Sequence, residues 1–413
     1  MSKEFTYVCV NCQKRINTDA ILYICPDCAK ENKADKALKG VLKIIYPYTE
    51  IKKKLAVNPD YLIESDYIDL LPIDNIDSYP PLLVGKTPLY TFEEEIDDKQ
   101  SFTLHLKVES GNPTFSFKDR ASALVSAFAK EKGIDILIAA STGNAGSSLA
   151  GICASQKQKA ILLVPENAPK AKLTQVLMYG AKLIPVRGNY DDAYELSLKL
   201  TEKYGLYNRN TAFNPLTIEG KKTVSFELYE QMKAMPDKVF VPVGDGVILS
   251  GIYKGFEDLL NLGLISKIPQ IIAVQAEGSA NLIDNLLLEN PVFKASSTIA
   301  DSISVDIPRN YFMAKDYLLK YNGVGEKVSD SDIIEASKLL AGNYGLFVEP
   351  AAATAYAGLL NYKHRNQLRA GEQIVILLTG NGLKDIGSVS NALNFPEAID
   401  PKTFNMDKLF DLK

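Results

Sequence analysis

Asn112-Pro-Thr-Phe-Ser-Phe-Lys-Asp-Arg120 separates a short apolar run from a longer stretch with helical periodicity. The run before it, Leu104–Val108, predicts a buried strand. The stretch after it, Lys118–Lys132, is followed by Gly133, which favours the end of a helix. Its apolar residues fall at helical spacing: Ala121, Leu124, Val125 and Phe128. The sequence therefore predicts a strand, a turn and a helix here, with Lys118 as the first helical residue.

Lys118 lies directly behind two aromatic residues, Phe115 and Phe117. Burial beside aromatic rings lowers the pKa of a lysine, and the neutral amine can then attack a carbonyl carbon. A first-turn lysine that pairs with Asp119 on the surface would be the commoner arrangement for this stretch taken alone. The hypothesis of a reactive lysine therefore depends on what else the chain places near it.

Short apolar runs alternate with amphipathic stretches from about residue 100 onward. Strands that alternate with helices form parallel sheets that helices cover on both faces. The sequence therefore predicts an α/β fold, and such folds bind ligands at the carboxyl ends of their strands. The predicted strands are Leu104–Val108, Ile136–Ala140, Ala160–Val164, Lys182–Val186, Val239–Val243, Ile271–Val274 and Ile374–Leu378.

The size and charge of the chain exclude several classes of protein. Its 413 residues are enough for two or three domains. The net charge is -4 and the isoelectric point is about 5.5, whereas a dedicated nucleic-acid-binding protein usually carries a basic field. No apolar run reaches the length of a membrane span, and the first five residues lack an apolar signal segment. We therefore expect a cytoplasmic protein that contacts neither nucleic acid nor membrane.

Four of the five cysteines form two pairs near the N-terminus, with the spacing C-x2-C-x12-C-x2-C. Four thiolates at this spacing close a tetrahedral zinc site with no open position, so the metal would be structural. Two disulfides are the alternative, which a cytosolic chain disfavours. The remaining cysteine, Cys153, lies in an apolar stretch and is interpreted as a small buried residue. The predicted zinc ligands are Cys9, Cys12, Cys25 and Cys28.

Residues 31–85 are polar and rich in tyrosine, and they are interpreted as a connector. The run 66–81 contains several acidic residues and three prolines. This composition predicts an extended segment that wraps around the domains and contributes little to their cores.

The loop after Ile136–Ala140 reads Ser141-Thr-Gly-Asn-Ala-Gly-Ser-Ser148. Glycine and other small residues let backbone N–H groups approach a ligand closely, and a helix begins within the loop. This arrangement favours a carboxylate, and Asn144 adds a side chain that can donate or accept a hydrogen bond. A simple helix cap would need only one serine or threonine, so a binding loop is the better interpretation.

The loop after Val239–Val243 reads Gly244-Asp-Gly-Val-Ile-Leu-Ser-Gly251. Glycines before a helix form a cradle for an anion. The nucleotide pattern G-x-x-x-x-G-K-[ST] is absent and the dinucleotide pattern is weak, so a single phosphate monoester fits better. A third loop begins at Thr379, directly after Ile374–Leu378, where its hydroxyl can face a ring nitrogen.

Together these features comprise a reactive lysine, a carboxylate cradle, a phosphate cradle and a hydroxyl. They are the groups needed to hold pyridoxal phosphate and an amino acid. Pyridoxal phosphate attaches to lysine as a Schiff base and withdraws electrons from its substrate. The sequence therefore predicts that Lys118 carries this cofactor.

Several stretches of the chain also resemble threonine synthases, and the similarity spans roughly residues 82–390. An N-terminal cysteine module is similar to one found in some members of that family. The stretches are Gly85-Lys-Thr-Pro-Leu89, Asn112–Arg120, Ser141-Thr-Gly-Asn-Ala-Gly146, Val241-Pro-Val-Gly-Asp-Gly246, Val274-Gln-Ala-Glu-Gly278 and Leu378-Thr-Gly-Asn-Gly-Leu-Lys-Asp385.

The resemblance implies a fold-type II enzyme with two doubly wound α/β domains, the cofactor in the cleft between them and a small zinc ribbon. The expected ranges are 1–35 for the zinc-ribbon module with its four cysteines, 36–117 for the connector and the first part of the large domain, 118–225 for the small domain and 226–413 for the rest of the large domain. Members of the family commonly form homodimers.

The family converts O-phosphohomoserine and water into threonine and phosphate. By resemblance, Lys118 is the Schiff-base lysine, Asn144 contacts the phenolic oxygen of the cofactor, and Thr379 meets its pyridine nitrogen. The backbone of Gly244, Asp245, Gly246, Val247 and Ile248 binds the cofactor's phosphate. The backbone of Ser141, Thr142, Gly143, Asn144 and Ala145 holds the substrate's carboxylate.

The phosphate loop departs from the family, which usually has Gly-Asn-Gly-Gly-Asn where this chain has Gly244-Asp-Gly-Val-Ile248. Asp245 repels a phosphate unless it points away, and Val247 does not easily adopt a positive φ. The loop can still bind through its N–H groups, but its shape is expected to differ.

A second departure concerns the pattern Asn-Ser-x-Asn-Pro-x-Arg, with which threonine synthases commonly clamp the phosphate of the substrate. Aligning Asn214-Pro215 with this pattern places Thr217 where the arginine would be, and threonine cannot replace a guanidinium fork. Nearby or alternative cations are Lys221, Lys222, Arg187 and Arg209.

The missing arginine leaves other functions open. One is a related β-elimination or β-replacement enzyme, such as a serine or threonine dehydratase or a cysteate-synthase-like enzyme that acts on phosphoserine. Another is a zinc-bearing binding protein on an inactive enzyme fold, which the joint presence of Lys118, Asn144 and Thr379 disfavours.

Overall fold

The computed structural model describes residues 4–33, 36–97, 99–232, 234–390 and 392–400. No helix in these ranges is long and apolar enough to cross a lipid bilayer. The strands are β1 Thr6–Cys9, β2 Arg15–Ile16, β3 Leu42–Ile45, β4 Leu89–Asp97, β5 Gln100–Val108, β6 Ile136–Ala140, β7 Lys159–Pro165, β8 Lys182–Val186, β9 Tyr207–Asn208, β10 Lys238–Pro242, β11 Gln270–Ala276, β12 Val324–Val328 and β13 Gln373–Leu378.

The helices lie mostly between consecutive strands, as expected for an α/β chain. They are α1 Pro26–Ala29, α2 Tyr48–Val57, α3 Tyr61–Glu64, α4 Lys118–Glu131, α5 Asn144–Ser155, α6 Lys170–Met178, α7 Tyr190–Tyr204, α8 Leu216–Lys221, α9 Thr223–Gln231, α10 Val247–Leu262, α11 Asn281–Asp284, α12 Tyr311–Lys320, α13 Asp330–Tyr344, α14 Pro350–His364 and α15 Ile386–Ser390. All the strands predicted from apolar runs are confirmed, with small shifts at their ends.

The larger sheet has the strand order β12-β11-β10-β13-β5-β4 and is parallel except for the antiparallel pair of β4 and β5. Alternate residues of β10 point into different cores. Val239 and Val241 pack in the core that contains α10, whereas Phe240 packs in the core that contains α14. Helices thus cover both faces of this parallel sheet, as the sequence analysis predicted, and its central strands are mostly apolar.

Strand β4 was not predicted, because its sequence Leu-Tyr-Thr-Phe-Glu-Glu-Glu-Ile-Asp is rich in acidic residues, which are unfavourable in strands. It lies at the edge of the sheet, where its residues alternate between exposed and partly buried. Charged side chains on an edge strand also prevent pairing with other chains.

The smaller sheet, β8-β7-β6-β9, is parallel and contains only strands between residues 136 and 208. Its faces are also divided between two cores: Leu137 and Ala139 pack on one side, and Ile138 and Ala140 pack with helix α7 on the other. The two sheets thus come from nested parts of the chain, since β5 precedes the small sheet and β10 follows it.

The N-terminal sheet has the order β2-β1-β3 and is antiparallel. Its third strand, Leu42–Ile45, lies beyond the predicted module boundary at residue 35. That boundary and the final part of the range 226–413, residues 401–413, lie outside the described residues. The domain ranges therefore remain predictions.

The connector is more structured than the sequence analysis predicted. It contains α2, α3 and two short 3-10 helices, Ile68–Leu70 and Ile76–Ser78. Leu70, Leu71 and Ile73 are almost fully buried and belong to the main core. The expectation of an extended segment was wrong, because the few apolar residues among the acidic ones are buried in the main core and hold the connector against it.

A buried ion cluster fixes α4 relative to the large sheet. The Arg120 guanidinium donates to Glu109 Oε2 at 2.7 Å and to Glu227 Oε1 at 2.6 Å. Lys107, on strand β5, donates to Glu227 Oε2 at 2.7 Å. Although burial raises the pKa of Glu227, these two cations outweigh it and hold the pKa at about 2. The first turn of α4 is therefore held by charge pairs that exclude water.

We predict that Glu227→Gln lowers the free energy of unfolding by about 3–5 kcal/mol at pH 7, because it leaves Arg120 and Lys107 without their shared carboxylate. Since the pKa of Glu227 lies below its ordinary value of 4.5, its stabilisation is complete above that value and is lost as the pH falls towards 2. The difference between the two proteins should therefore shrink in acid. Urea unfolding at pH 7 and pH 3 measures this.

The matched control is Glu50→Gln, which removes the exposed partner of Lys53 and should cost less than about 1 kcal/mol. Equal effects of the two substitutions would contradict a structural role for the buried cluster.

Candidate active site

A cavity of about 430 Å³ lies where the loops after β6 and β10 meet. Its lining includes Lys118, residues 141–145, residues 243–246 and Ile248. These loops follow the carboxyl ends of strands in two different sheets, so the site lies between the sheets, as expected for open α/β folds. The volume falls in the range of small-molecule sites.

Lys118 is the first residue of α4 and lines the cavity. Burial lowers the pKa of its amine, and the charges of Asp245 and Glu349 act against that shift. Phe117 is completely buried, whereas Phe115 is 49% exposed. Phe115 therefore contributes little to the shielding of Lys118 that we predicted for both rings.

Asp119 and Arg120 explain the rest of the opening motif. Asp119 is buried and accepts hydrogen bonds from Thr114 N at 2.7 Å and from Thr114 Oγ1 at 2.5 Å. It therefore closes the turn that precedes Lys118, while Arg120 anchors the helix through the ion cluster. The surface pair of Lys118 and Asp119, which was the alternative, is not formed.

Thr379 lies next to Lys118 through the backbone. Its carbonyl accepts from Phe117 N at 2.8 Å, and Gly380 forms a bridge with Ser116. Thr379 is 6% exposed and is not among the residues that line the cavity. Its proposed contact with a ring nitrogen remains a prediction.

The loop from Ser141 to Ala145 is held by the Ser141 hydroxyl. Its oxygen accepts from Gly143 N at 3.3 Å and from Gly146 N at 3.0 Å. The N–H groups of Thr142, Asn144 and Ala145 have no hydrogen-bond acceptor among the described residues. These free donors lie at the start of the twelve-residue helix α5, where its dipole favours a negative charge.

Asn144 has a partner that the sequence analysis missed. Its side-chain amide donates to Glu349 at 2.9 Å and to Ser302 Oγ at 3.2 Å. Glu349 precedes α14 and is 3% exposed, and burial raises its pKa. The signal in the sequence was weak: a single glutamate before a proline and an alanine-rich helix.

The loop after β10 adopts a different shape from the one that its departures suggested. Positive φ falls on Gly246, at 85°, and Val247 is the first residue of α10. Asp245 turns back on the loop, and its Oδ1 accepts from Val247 N at 2.9 Å. The N–H groups of Gly244, Asp245, Gly246 and Ile248 have no acceptor in the described part of the chain. Four of the five predicted donors are therefore free, and the fifth is used internally.

The candidate replacements for the missing arginine differ in whether their side chains are exposed, paired with carboxylates, or buried without a partner. Thr217 is buried, and its hydroxyl donates to Asn214 O at 2.8 Å. Lys222 pairs with Glu219 and Asp258, and Arg187 is exposed. Arg209 and Lys221 are both buried, and each has a side-chain nitrogen without a partner within the described ranges.

The four N-terminal cysteines converge. Their sulfur atoms all lie within 4.8 Å of one another, with Cys9 and Cys28 at 3.7 Å and Cys12 and Cys25 at 3.8 Å. These separations are too long for disulfides. Tetrahedral zinc with bonds of about 2.3 Å places its sulfur ligands roughly 3.8 Å apart, so the cluster fits that ion.

Comparison with known proteins agrees with this site. A family profile described as "Pyridoxal-phosphate dependent enzyme" matches residues 81–380. The threonine synthase of Methanocaldococcus jannaschii is 36% identical over 405 residues, covering 95% of this chain and 96% of the relative. The threonine synthase of Methanosarcina acetivorans is 32% identical and covers 95% of both chains.

Among solved structures, the processed form of threonine deaminase isoform 2 from Solanum lycopersicum aligns with a TM-score of 0.64 at 23% identity. The alignment covers 82% of this chain and 95% of the deaminase. At this identity the likeness establishes the fold-type II architecture alone. The chain is thus a pyridoxal-phosphate-dependent enzyme of the α/β class. Within that class it belongs to the threonine synthase family.

Two glycines in the carboxylate loop provide a test of its geometry. A Cβ atom on residue 146 would lie 2.5 Å from Ser141 O, whereas one on residue 143 would meet no protein atom within 4 Å. We predict that Gly146→Ala destabilises the protein by about 1–3 kcal/mol through overpacking. Gly143→Ala should leave stability within about 0.5 kcal/mol. Thermal unfolding of both variants measures the difference, and equal stability would contradict this loop geometry.

Proposed function

We propose that the protein converts O-phosphohomoserine and water into threonine and phosphate with pyridoxal phosphate as its cofactor. One observation carries this proposal: a partly buried lysine lines a single cavity with two sets of free N–H groups. Membership of the threonine synthase family supports it. The substrate is therefore a phosphorylated amino acid.

The cavity fits the cofactor because it offers an amine of lowered pKa and a backbone cradle for phosphate. When bound, pyridoxal phosphate supplies an electron sink for breaking bonds at the α and β carbons of an amino acid. Lys118 would hold the cofactor through its side-chain nitrogen and would move protons among the α, β and γ carbons of the substrate. The free N–H groups of Gly244, Asp245, Gly246 and Ile248 would bind the cofactor's phosphate, and that of Val247 would join them if Asp245 moved.

The other side chains orient the reactants. Thr379 would bond the pyridine nitrogen of the bound cofactor and Asn144 its phenolic oxygen, while Glu349 fixes the amide of Asn144. The backbone of Ser141, Thr142, Gly143 and Ala145 encloses the substrate's carboxylate, with direct donors at Thr142, Asn144 and Ala145. The fold holds each of these groups in place before the reaction, so the groups need little reorganisation to stabilise charge on the reactants.

Two ion pairs cross the cleft at the cavity, since Arg309, Asp191 and Asp301 line it. Arg309 donates to Asp191 at 2.5 Å, and Lys172 donates to Asp301 at 2.6 Å. We infer that these pairs hold the proposed small domain, 118–225, against the large one when the cleft is closed. We also propose that the enzyme is a cytoplasmic homodimer, as is common in its family.

The decisive experiment incubates the purified enzyme with O-phosphohomoserine and measures phosphate and threonine together. We predict equal amounts of both products, and no turnover by Lys118→Ala. After reduction with borohydride, the wild-type peptide that contains Lys118 should carry the pyridoxyl mass, and the variant should not.

No phosphate release from a protein with bound cofactor would overturn the proposed reaction. Turnover of serine, threonine or phosphoserine would then identify the related β-elimination or β-replacement chemistry. Full activity of Lys118→Ala would contradict the assignment of Lys118 as the lysine that holds the cofactor.

We further propose that Cys9, Cys12, Cys25 and Cys28 bind one structural zinc ion. The supporting observation is the mutual distance of the four sulfur atoms, which suits tetrahedral thiolate ligation. All four positions of the ion would be filled by protein, so it has no direct part in the reaction.

We predict that the purified protein contains one equivalent of zinc and that Cys12→Ser loses most of it, because metal binding stabilises such modules. Cys153→Ser is the matched control, since that thiol is buried in α5 outside the cluster. Elemental analysis after gel filtration measures both. The metal site would be contradicted if the purified wild-type protein lacked zinc and if adding zinc did not change its thermal stability.

A further inference from the structure

Two buried cations near the cavity have donors that the described residues do not use. Arg209 is 1% exposed; its Nη1 donates to Thr211 Oγ1 at 2.8 Å and its Nε to Ser122 Oγ at 3.2 Å, but Nη2 has no acceptor. Lys221 is completely buried at the end of α8, and its Nζ has no acceptor either. The described contacts therefore leave at least one donor group on each side chain available to a ligand.

Among the described residues, Arg209 and Lys221 are the cations with a buried side-chain nitrogen that lacks a hydrogen-bond partner. Lys222, the next residue, pairs with Glu219 and Asp258, and Lys254 also pairs with Asp258. Burying a charge without a partner costs several kcal/mol, so folds normally supply a counter-charge or lose the charge by a pKa shift. Two such groups in one place indicate that an anion from outside the chain completes the pairing.

Arg209 and Lys221 do not themselves line the cavity, but both lie close to residues that do. Thr211, which accepts from Arg209, lines the cavity together with Lys118 and Asp245. Burial lowers the pKa of Arg209 to about 10 and also lowers the pKa of Lys221, while the Asp245 carboxylate raises both. The charges of Lys118 and Arg209 add to the lowering at Lys221. These four side chains are thus one electrostatic cluster with more positive than negative members.

Lys221 lies four residues after Thr217 on α8, and residues at this spacing share one face of a helix. By the resemblance described under Sequence analysis, Thr217 takes the place of the arginine with which the family clamps the substrate's phosphate. Its own hydroxyl is already used within the chain. A cation one helical turn further along can therefore reach the same region from a different backbone position.

We propose that Arg209 and Lys221 bind the phosphate group of the substrate, in place of the arginine that Thr217 replaces. This inference rests on the proposed function. The cofactor's phosphate already has a cradle of free N–H groups in the loop after β10, so it does not need these cations. Arg309 also lines the cavity, but it is paired with Asp191 and stacked on Tyr194.

The test uses the cofactor-loaded enzyme and the variant Lys221→Met, which keeps the length of the side chain without its charge. We expect the KM for O-phosphohomoserine to rise about 10- to 100-fold, the range for losing a hydrogen bond to a charged group. The binding of inorganic phosphate, measured by titration calorimetry, should weaken by a similar factor. Cofactor affinity and thermal stability should not fall, because an unpaired charge has been removed.

Further variants distinguish a specific contact of Lys221 with phosphate from a general loss of positive charge. Arg187→Met removes an exposed arginine from the same proposed domain. It should change neither the KM for O-phosphohomoserine nor the affinity for inorganic phosphate. Adding Thr217→Arg to Lys221→Met should recover part of the phosphate affinity, since it restores a guanidinium on the same helix face. If Lys221→Met does not fold, Lys221→Gln and Arg209→Gln provide the same measurements.

Unchanged phosphate binding in Lys221→Met and Arg209→Gln would overturn the proposal, and so would a loss of cofactor affinity without a change in phosphate binding. Failure of the proposed function is a separate outcome, because it shows in the wild-type assay with O-phosphohomoserine. The calorimetric comparison of wild type with Lys221→Met decides the present inference even then, as it needs no turnover.

Discussion

The position of the Lys118 amine depends on the buried charges that surround the start of its helix. Arg120 is bonded to Glu109 and Glu227, which fixes α4 against the large sheet. Asp119 closes the preceding turn through Thr114. Both side chains are almost completely buried, so the motif Lys-Asp-Arg places the proposed catalytic lysine and two anchors within three residues. Without those anchors the first turn of a helix would fray and admit water to the amine.

The contrast between paired and unpaired charges distinguishes structure from function in this chain. Arg120, Lys107 and Lys222 each meet carboxylates, which makes these clusters rigid parts of the fold. Near the cavity, Arg209 and Lys221 each have a side-chain nitrogen without a partner among the described residues. In the proposed complex these donors form a preorganised site for an anion, since no described side chain must be displaced from them. Stability is reduced where binding is required.

The sequence was sufficient to predict seven of the thirteen strands in the described residues, because apolar periodicity is a local signal. The loops after β6 and β10 line one cavity with Lys118, as the rule of strand ends suggested, whereas their binding roles remain predictions. Contacts between distant segments were not predictable. Glu349 is 205 positions from Asn144, and the buried, unpaired state of Arg209 and Lys221 depends on how several elements pack. The internal hydrogen bond of Asp245 was also missed: only repulsion of phosphate was considered, not the two-residue turn by which an aspartate can cap its own loop.

The N-terminal part of the chain lies far from the cavity in sequence, yet it contacts the segment that carries Arg209 and Lys221, the proposed phosphate ligands. Tyr23 accepts a hydrogen bond from Asn208 N and stacks on Phe213 at a centroid distance of 4.6 Å. Tyr46 donates to Glu219, which in turn accepts from Lys222. These contacts lie on both sides of Arg209 and next to Lys221. Since a displacement of about 1 Å at a binding group is enough to weaken catalysis strongly, a metal-bound module would benefit the reaction by holding this segment still, without touching the substrate.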